Sequence, residues 1–171
     1  DPQIPTSAIL RFVLRKLVAR ARALVRGYPR AFMESNISVI NKSGLVVGNG
    51  VSIGRGVIID ALSEDGIVLC DSATIDANAV IRGSGGIRRL GKGVYVGQRA
   101  AIGSSNFIHG GGGVEIGADV LLGPNVQIFS ENHLINRRDT PIIEQGETPG
   151  KVRIGAGAWI GAGSIILAGV E

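Results

Sequence analysis

His133 is the side chain in this sequence best suited to proton transfer. It is one of only two histidines in the 171 residues, and Glu131 and Asn132 directly precede it. A neutral imidazole near pH 7 can take a proton from a hydroxyl group as its oxygen attacks, which is general-base catalysis. A nearby carboxylate or amide can fix the imidazole tautomer, so Glu131 and Asn132 are candidates to orient the ring. The alternative for His133 is a solvent-facing loop histidine.

His133 stands in a polar, irregular stretch between Ile128 and Val152. Charged residues are frequent there, as Arg137, Arg138, Asp139, Glu144 and Glu147 show. Long loops on compact folds are often functional. We predict that residues 129–151 form an excursion loop from a regular fold.

The regular part repeats an aliphatic or small residue at six-residue spacing. Two clear runs are Leu69, Ala73, Ile75, Ala79 and Ile81, and Ile116, Val120, Leu122, Val126 and Ile128. Neither a period of 3.6 nor one of 2 explains this spacing. A six-residue period predicts short strands joined by tight corners, three to a coil, with large aliphatics inward. The 27 glycines and 4% aromatic residues suit left-handed corners around a narrow bore.

The sequence therefore predicts an all-β solenoid, a parallel β-helix over residues 45–171. Its coils would stack at about 4.8 Å, and each would bury its aliphatic residues on the next. With 171 residues there is room for one such domain and a small appendage.

Residues 1–44 are predicted to be that appendage, an N-terminal helical region. Apolar residues recur there at helical spacing, at Leu10, Val13, Leu14, Leu17, Ala21 and Leu24. Seven Lys or Arg residues in 1–34, against Asp1 and Glu34, give this segment a net charge of +5. We predict a basic amphipathic helix from Ser7, as N-cap, to about Arg26, ended by Gly27. One interpretation is that this helix caps the open end of the solenoid or packs on a neighbouring subunit. The other is that it docks on an anionic membrane surface.

Composition limits the compartment and the partners. A single cysteine, Cys70, excludes an intramolecular disulfide, fits a reducing compartment and is expected to be a passive packing thiol. No apolar run reaches the roughly 18 residues that span a bilayer, and no secretory signal is convincing. The basic segment lacks interleaved stacking aromatics, so nucleic-acid binding is not favoured. We expect a cytoplasmic protein, with peripheral contact at the inner face of the bacterial plasma membrane as a further option.

Residues 45–171 resemble the hexapeptide-repeat acyltransferases. The segments that carry the closer resemblance to bacterial sugar O-acetyltransferases are Val114–Gly117, Gly123–Val126, Glu131–His133, Pro141–Ile142, Gln145–Gly146, Val152–Gly155 and Trp159–Gly161. Similar proteins include the enzymes of O-antigen, capsule and exopolysaccharide clusters, and the maltose and galactoside acetyltransferases. The resemblance implies a left-handed β-helix, an exception to the usual right-handed crossover.

The resemblance also implies site residues. His133 matches the family's catalytic histidine by its place after Pro124–Asn125. Asn106 aligns with an acceptor-binding asparagine, although an inward ladder position is an equal alternative. His109 would be a structural residue or a further acceptor contact. The run Gly110–Gly113 replaces a segment that carries an acidic acceptor contact in the galactoside enzymes, so the acceptor differs or is bound differently.

The cofactor implied by the resemblance is acetyl-CoA, held in a groove between two subunits of a homotrimer. Gly161, Ala162 and Gly163 would let the pantetheine arm approach the backbone, and Trp159 would wall the groove near the thioester. The residues that hold the adenine end are not assigned. No metal is expected.

The predicted function is an acetyl-CoA-dependent O-acetyltransferase acting on a saccharide hydroxyl in cell-surface polysaccharide biosynthesis. The acceptor would be a nucleotide sugar, a lipid-linked glycan or a polysaccharide unit, acetylated directly with His133 as base. Alternatives with the same chemistry are N-acetylation of an amino sugar and acetylation of serine. A γ-type carbonic anhydrase would need three zinc-binding histidines, and only His109 and His133 are present. The last alternative is a noncatalytic trimeric scaffold.

Overall fold

The strands of this protein form three parallel ladders that run along a left-handed β-helix. The structure is a computed structural model that describes residues 3–171. The first ladder contains β1 (Phe32–Met33), β4 (Ser52–Ile53), β7 (Thr74–Ile75), β10 (Ala101–Ile102), β13 (Leu121–Leu122) and β18 (Trp159–Ile160). The second contains β2 (Ser38–Ile40), β5 (Ile58–Asp60), β8 (Val80–Arg82), β11 (Phe107–His109), β14 (Gln127–Phe129) and β19 (Ile165–Ile166). The third contains β3 (Leu45–Val47), β6 (Ile67–Leu69), β9 (Val94–Val96), β12 (Val114–Ile116) and β17 (Val152–Ile154).

Each coil takes one strand from each ladder, and successive coils pair in register. In the second ladder, Ile81 pairs with Ile59 below and with Ile108 above. These isoleucines are fully buried, and Ile128 extends the same column. Because side chains alternate along a strand, the residues beside them point outward. The fold class predicted from the six-residue period is confirmed.

The β-helix begins earlier than the predicted boundary at residue 45. Strand β1 already pairs with β4, and β2 with β5. Met33, Val39 and Leu45 continue the six-residue spacing, and Met33 is fully buried. The corners there use Asn36 and Asn41 in the left-handed region, where asparagine is tolerated, in place of glycine. The helical region is therefore shorter than residues 1–44.

The N-terminal helix, α1 (Thr6–Val25), packs against the first coil. Pro5 and not Ser7 holds the N-cap position, so that detail of the prediction is wrong. The last helical residue is Val25, and Gly27 follows the C-cap residue Arg26 with a φ of +86°, so it ends the helix as expected. The Gly27 N–H donates to Leu24 O at 2.9 Å and the Tyr28 N–H to Ala23 O at 2.9 Å, which is a Schellman motif. Ala23 is fully buried in the hydrophobic core, so the helix caps this end of the β-helix.

Two surface ion pairs connect neighbouring coils. Arg99 donates to Asp119 at 2.6 and 2.7 Å, and this hydrogen-bonded guanidinium lowers the pKa of Asp119. Lys151 lies 2.6 Å from Glu115 and lowers the pKa of that carboxyl group in the same way.

We expect these pairs to make part of the stability acid-sensitive. Because both folded-state pKa values lie below the unfolded ones, their stabilisation is present above about pH 4 and is lost as pH falls through the folded values. Thermal unfolding midpoints at pH 5 and pH 3 measure the effect. The thermal midpoint of the double variant Glu115→Gln, Asp119→Asn should fall less between pH 5 and pH 3 than that of the unaltered protein. An equal loss in both proteins would contradict this assignment.

Candidate functional site

A cleft lies where the excursion leaves the second ladder. The excursion runs between β14 and β17 and contains β15 (Glu131–His133), the four-residue helix α2 (Ile142–Gln145) and β16 (Glu147–Pro149). Strands β15 and β16 pair antiparallel, apart from the three ladders. The cleft has a volume of about 350 Å³ and is lined by Arg82, Gly85, Phe107, His109, Phe129, Glu131, Asn132, His133 and Glu147.

The strand register explains one wall of this cleft. His109 pairs with Arg82 on one side and with Phe129 on the other. Each follows an inward isoleucine, so all three side chains project outward in one column. The β-helix thus presents a cation, an imidazole and an aromatic ring to the excursion.

His109 is the more enclosed of the two imidazoles. Its side chain is 12% exposed, and its Nδ1 lies 3.4 Å from a carboxylate oxygen of Glu131. The ring is parallel to that of Phe107, with centroids 6.3 Å apart. A carboxylate facing Nδ1 favours a proton on that nitrogen, which leaves Nε2 as the acceptor. The sequence prediction made Glu131 the partner of His133, whereas the structure places it beside His109.

His133 is exposed at the end of β15, where its backbone registers with Glu147. Within residues 3–171 its imidazole has no hydrogen-bond or ion-pair partner. It lines the same cleft as His109 and Asn132. The structure therefore brings together four of the predicted site residues, with one imidazole held by a carboxylate and the other free to meet a ligand.

The glycine run lets the excursion approach the β-helix. A Cβ added at Gly111 would overlap the Glu131 carboxylate, and one at Gly112 would overlap the carbonyl of Ser130. The buried Ser130 hydroxyl donates to His109 O at 2.6 Å and accepts from the Gly112 N–H at 3.0 Å. Sequence reasoning did not identify this serine. It fixes the root of the excursion directly against the strand that carries His109.

We expect Gly111→Ala to displace the Glu131 carboxylate while leaving the coil stack in place. A misplacement of about 1 Å at an active site can lower the rate about 10²-fold, so kcat/KM for the acceptor should fall by about 10-fold to 100-fold. Initial rates at subsaturating acceptor measure the loss. Gly86→Ala is the matched control, because a Cβ there meets nothing within 4 Å. Equal activity of the two variants would contradict the positioning role of Gly111.

Asn106 occupies the interior of the coil. It is 1% exposed, its Oδ1 accepts from the Val126 N–H at 2.7 Å, and its Nδ2 is buried without a partner in the described chain. It is not among the residues that line the cleft. Its contact with an acceptor stays a prediction, and its position here is that of the alternative, an inward ladder residue.

The predicted cofactor residues lie on the last coil, away from this cleft. Trp159 is 79% exposed on β18, and its neighbour in the ladder, Leu121, is also exposed. Gly161, Ala162 and Gly163 follow at an exposed corner. Their role in cofactor binding stays a prediction, because within a single chain they do not line the cleft that contains His133.

The rest of the described chain adds three observations. Among residues 3–171 there is no group of three or more His, Cys, Asp or Glu side chains placed to hold a metal ion. In the same range, no helix combines the length and apolar character needed to cross a membrane. Cys70 is half-buried and unbridged.

Comparison with known proteins gives one local similarity. No known family profile matches the sequence. A Dictyostelium discoideum protein named "putative acetyltransferase" is 43% identical over 58 residues, which cover 33% of this chain and 29% of that protein. The matched region is thus less than a third of that relative's length. Together with the β-helix, the similarity supports acyl transfer in broad terms and is consistent with a hexapeptide-repeat acyltransferase.

Proposed function

We propose that this protein is an acetyl-CoA-dependent O-acetyltransferase that acts on a saccharide hydroxyl in cell-surface polysaccharide biosynthesis. The observation that supports it most directly is the cleft in which His133 and His109 meet beside Glu131. It lies where the strand pattern breaks, and the fold and the local similarity agree with acyl transfer.

In the proposed reaction His133 takes the proton from the acceptor hydroxyl. The hydroxyl oxygen attacks the thioester carbonyl carbon, and a tetrahedral intermediate forms. Its collapse breaks the C–S bond, leaves the acetyl ester on the sugar, and returns the proton from the imidazolium to the departing thiolate. The exposed, unpartnered ring of His133 suits a base that must meet the substrate. A backbone N–H at a coil corner would stabilise the oxyanion.

His109 and Glu131 would position the acceptor in this scheme. With its Nδ1 toward Glu131, the ring of His109 presents Nε2 to the cleft as a hydrogen-bond acceptor for a second hydroxyl. Arg82 and Glu147 line the same cleft and offer donor and acceptor groups. Phe107 and Phe129, with ring centroids 5.6 Å apart, offer an apolar wall for the sugar ring.

Acetyl-CoA would lie between protomers of a homotrimer. Trp159, Gly161, Ala162 and Gly163 are solvent-exposed in one chain, and the small residues leave room for a pantetheine arm. Leu121 and Trp159 form an exposed apolar pair on the first ladder, which suits a subunit contact. A second protomer would then bring its last coil to the cleft that holds His133.

Release of free thiol from acetyl-CoA tests the proposal. The protein is incubated with nucleotide sugars, lipid-linked oligosaccharides, amino sugars and serine, each with and without acetyl-CoA. We expect thiol release that depends on a saccharide with a free hydroxyl, and an alkali-labile acetyl ester in the product. Release only with amino sugars or serine would overturn the O-acetylation assignment. No release, together with no calorimetric binding of coenzyme A, would favour a scaffold.

A further inference from the structure

The helix α1 uses only one of its two apolar sides to cap the β-helix. Ala19 and Ala23 are buried against the first coil. A second set of large apolar side chains is exposed, each between 39% and 89%: Leu10, Val13, Leu14, Leu17, Val18, Leu24 and Val25. We refer to this set as the outward face.

The outward face is a continuous strip. At about 100° per residue, these side chains and Ala21 fall within an arc of roughly 140° on the side opposite Ala19 and Ala23. A helix of 20 residues is about 30 Å long, so the strip extends well beyond a single side-chain contact. The cap therefore turns most of this strip away from the β-helix, while Val18, Ala21 and Val25 at one edge line a crevice with Glu34–Asn36 of the first coil.

Basic residues border the outward face, and no acidic residue occurs in α1. Arg11 and Arg22 lie along one edge, and their side chains have no hydrogen-bond or ion-pair partner within residues 3–171. Arg20 lies at the other edge, over the Phe32 ring at 5.5 Å. In contrast, Arg15 is paired with Glu34 at 2.7 Å. Two of the guanidinium groups next to the apolar strip, those of Arg11 and Arg22, are thus free to meet a ligand.

We propose that α1 docks this protein on an anionic lipid bilayer, lying in the plane of the headgroups. The outward face would enter the acyl boundary, and Arg11 and Arg22 would bind lipid phosphates. A second copy of the helix is a poorer occupant, because it would bring uncompensated arginines against each other. The proposal does not depend on the acetyltransferase assignment. If both hold, docking would keep the enzyme at the same surface as membrane-borne acceptors.

Co-sedimentation of the intact chain with vesicles tests this docking. The vesicles are phosphatidylcholine alone, or phosphatidylcholine mixed with phosphatidylglycerol. We expect binding to the mixed vesicles that weakens as salt is added, because salt screens the attraction between the arginines and the lipid phosphates. The variant Arg11→Gln, Arg22→Gln should bind roughly 30-fold more weakly, at roughly fivefold per basic residue near an anionic surface. Leu14→Gln, Leu17→Gln should also lose binding, because both leucines are exposed and belong to the apolar strip.

The matched control is Arg55→Gln, Arg88→Gln, which changes the net charge equally at exposed positions outside α1. It should bind like the unaltered protein. Circular dichroism checks that every variant is folded. Equal binding to neutral and anionic vesicles, or no binding, would overturn the proposal. If the arginine variant lost binding while the leucine variant bound normally, the proposal would also be overturned. That result would indicate a purely electrostatic site, such as one for a soluble polyanion, and no insertion of the apolar strip into lipid. A change of oligomeric mass in the leucine variant, with vesicle binding intact, would assign the strip to self-association.

Discussion

Replacement of His133 by alanine is expected to lower the turnover of acetyl transfer by about 10²–10⁴, the usual contribution of a general base. His133 is exposed and has no side-chain partner within residues 3–171, so its removal leaves no buried group unsatisfied. Stability should therefore be unchanged. Initial rates of thiol release at saturating acetyl-CoA, with a thermal melt of the same sample, measure both quantities.

His109→Ala is the comparison that separates base from positioning residue. His109 is half-enclosed between Phe107 and Glu131, so its loss should raise the KM of the acceptor and leave a measurable kcat. If His133→Ala turned over at nearly the wild-type rate while His109→Ala were inactive, the assignment of the base would pass to His109. Near-normal rates in both variants would remove the proposed mechanism.

The β-helix was predictable because its determinants are local. Each inward aliphatic stacks on the equivalent residue of the next coil, so the spacing in sequence reports the fold directly. The start was missed because Met33 and Val39 are only two positions of the period before residue 45, and no longer aliphatic run precedes them. There the left-handed corners are Asn36 and Asn41.

The site was only partly predictable, because it depends on register and on excursion geometry. His133 and Asn132 could be placed in the excursion from the break in the pattern. The pairing of His109 with Glu131 depends on the path of the excursion and on the room made by Gly111, which no local pattern encodes. The register of Arg82, His109 and Phe129 was the available signal, since each follows an inward isoleucine. Trp159 belongs, in our proposal, to a site that only a second protomer completes.

The column of isoleucines beneath the cleft gives the second large expected effect. Ile108 is fully buried between Ile81 and Ile128, and it directly precedes His109. Ile108→Ala should lower the free energy of unfolding by about 2–5 kcal/mol, because the rigid neighbouring coils leave a cavity that they cannot fill. Since each coil is held mainly by its neighbours, a weakened fourth coil also loosens the strand that carries His109.

Urea unfolding followed by far-UV circular dichroism, at one fixed protein concentration, measures this loss of stability. Ile58→Ala is the matched control, because it removes the same atoms from a strand of the same ladder at a residue that is 36% exposed. We expect the control to cost about 1 kcal/mol or less. Equal midpoints for the two variants would contradict the view that the inward column, and not strand pairing alone, carries the stability of the coils beneath the cleft.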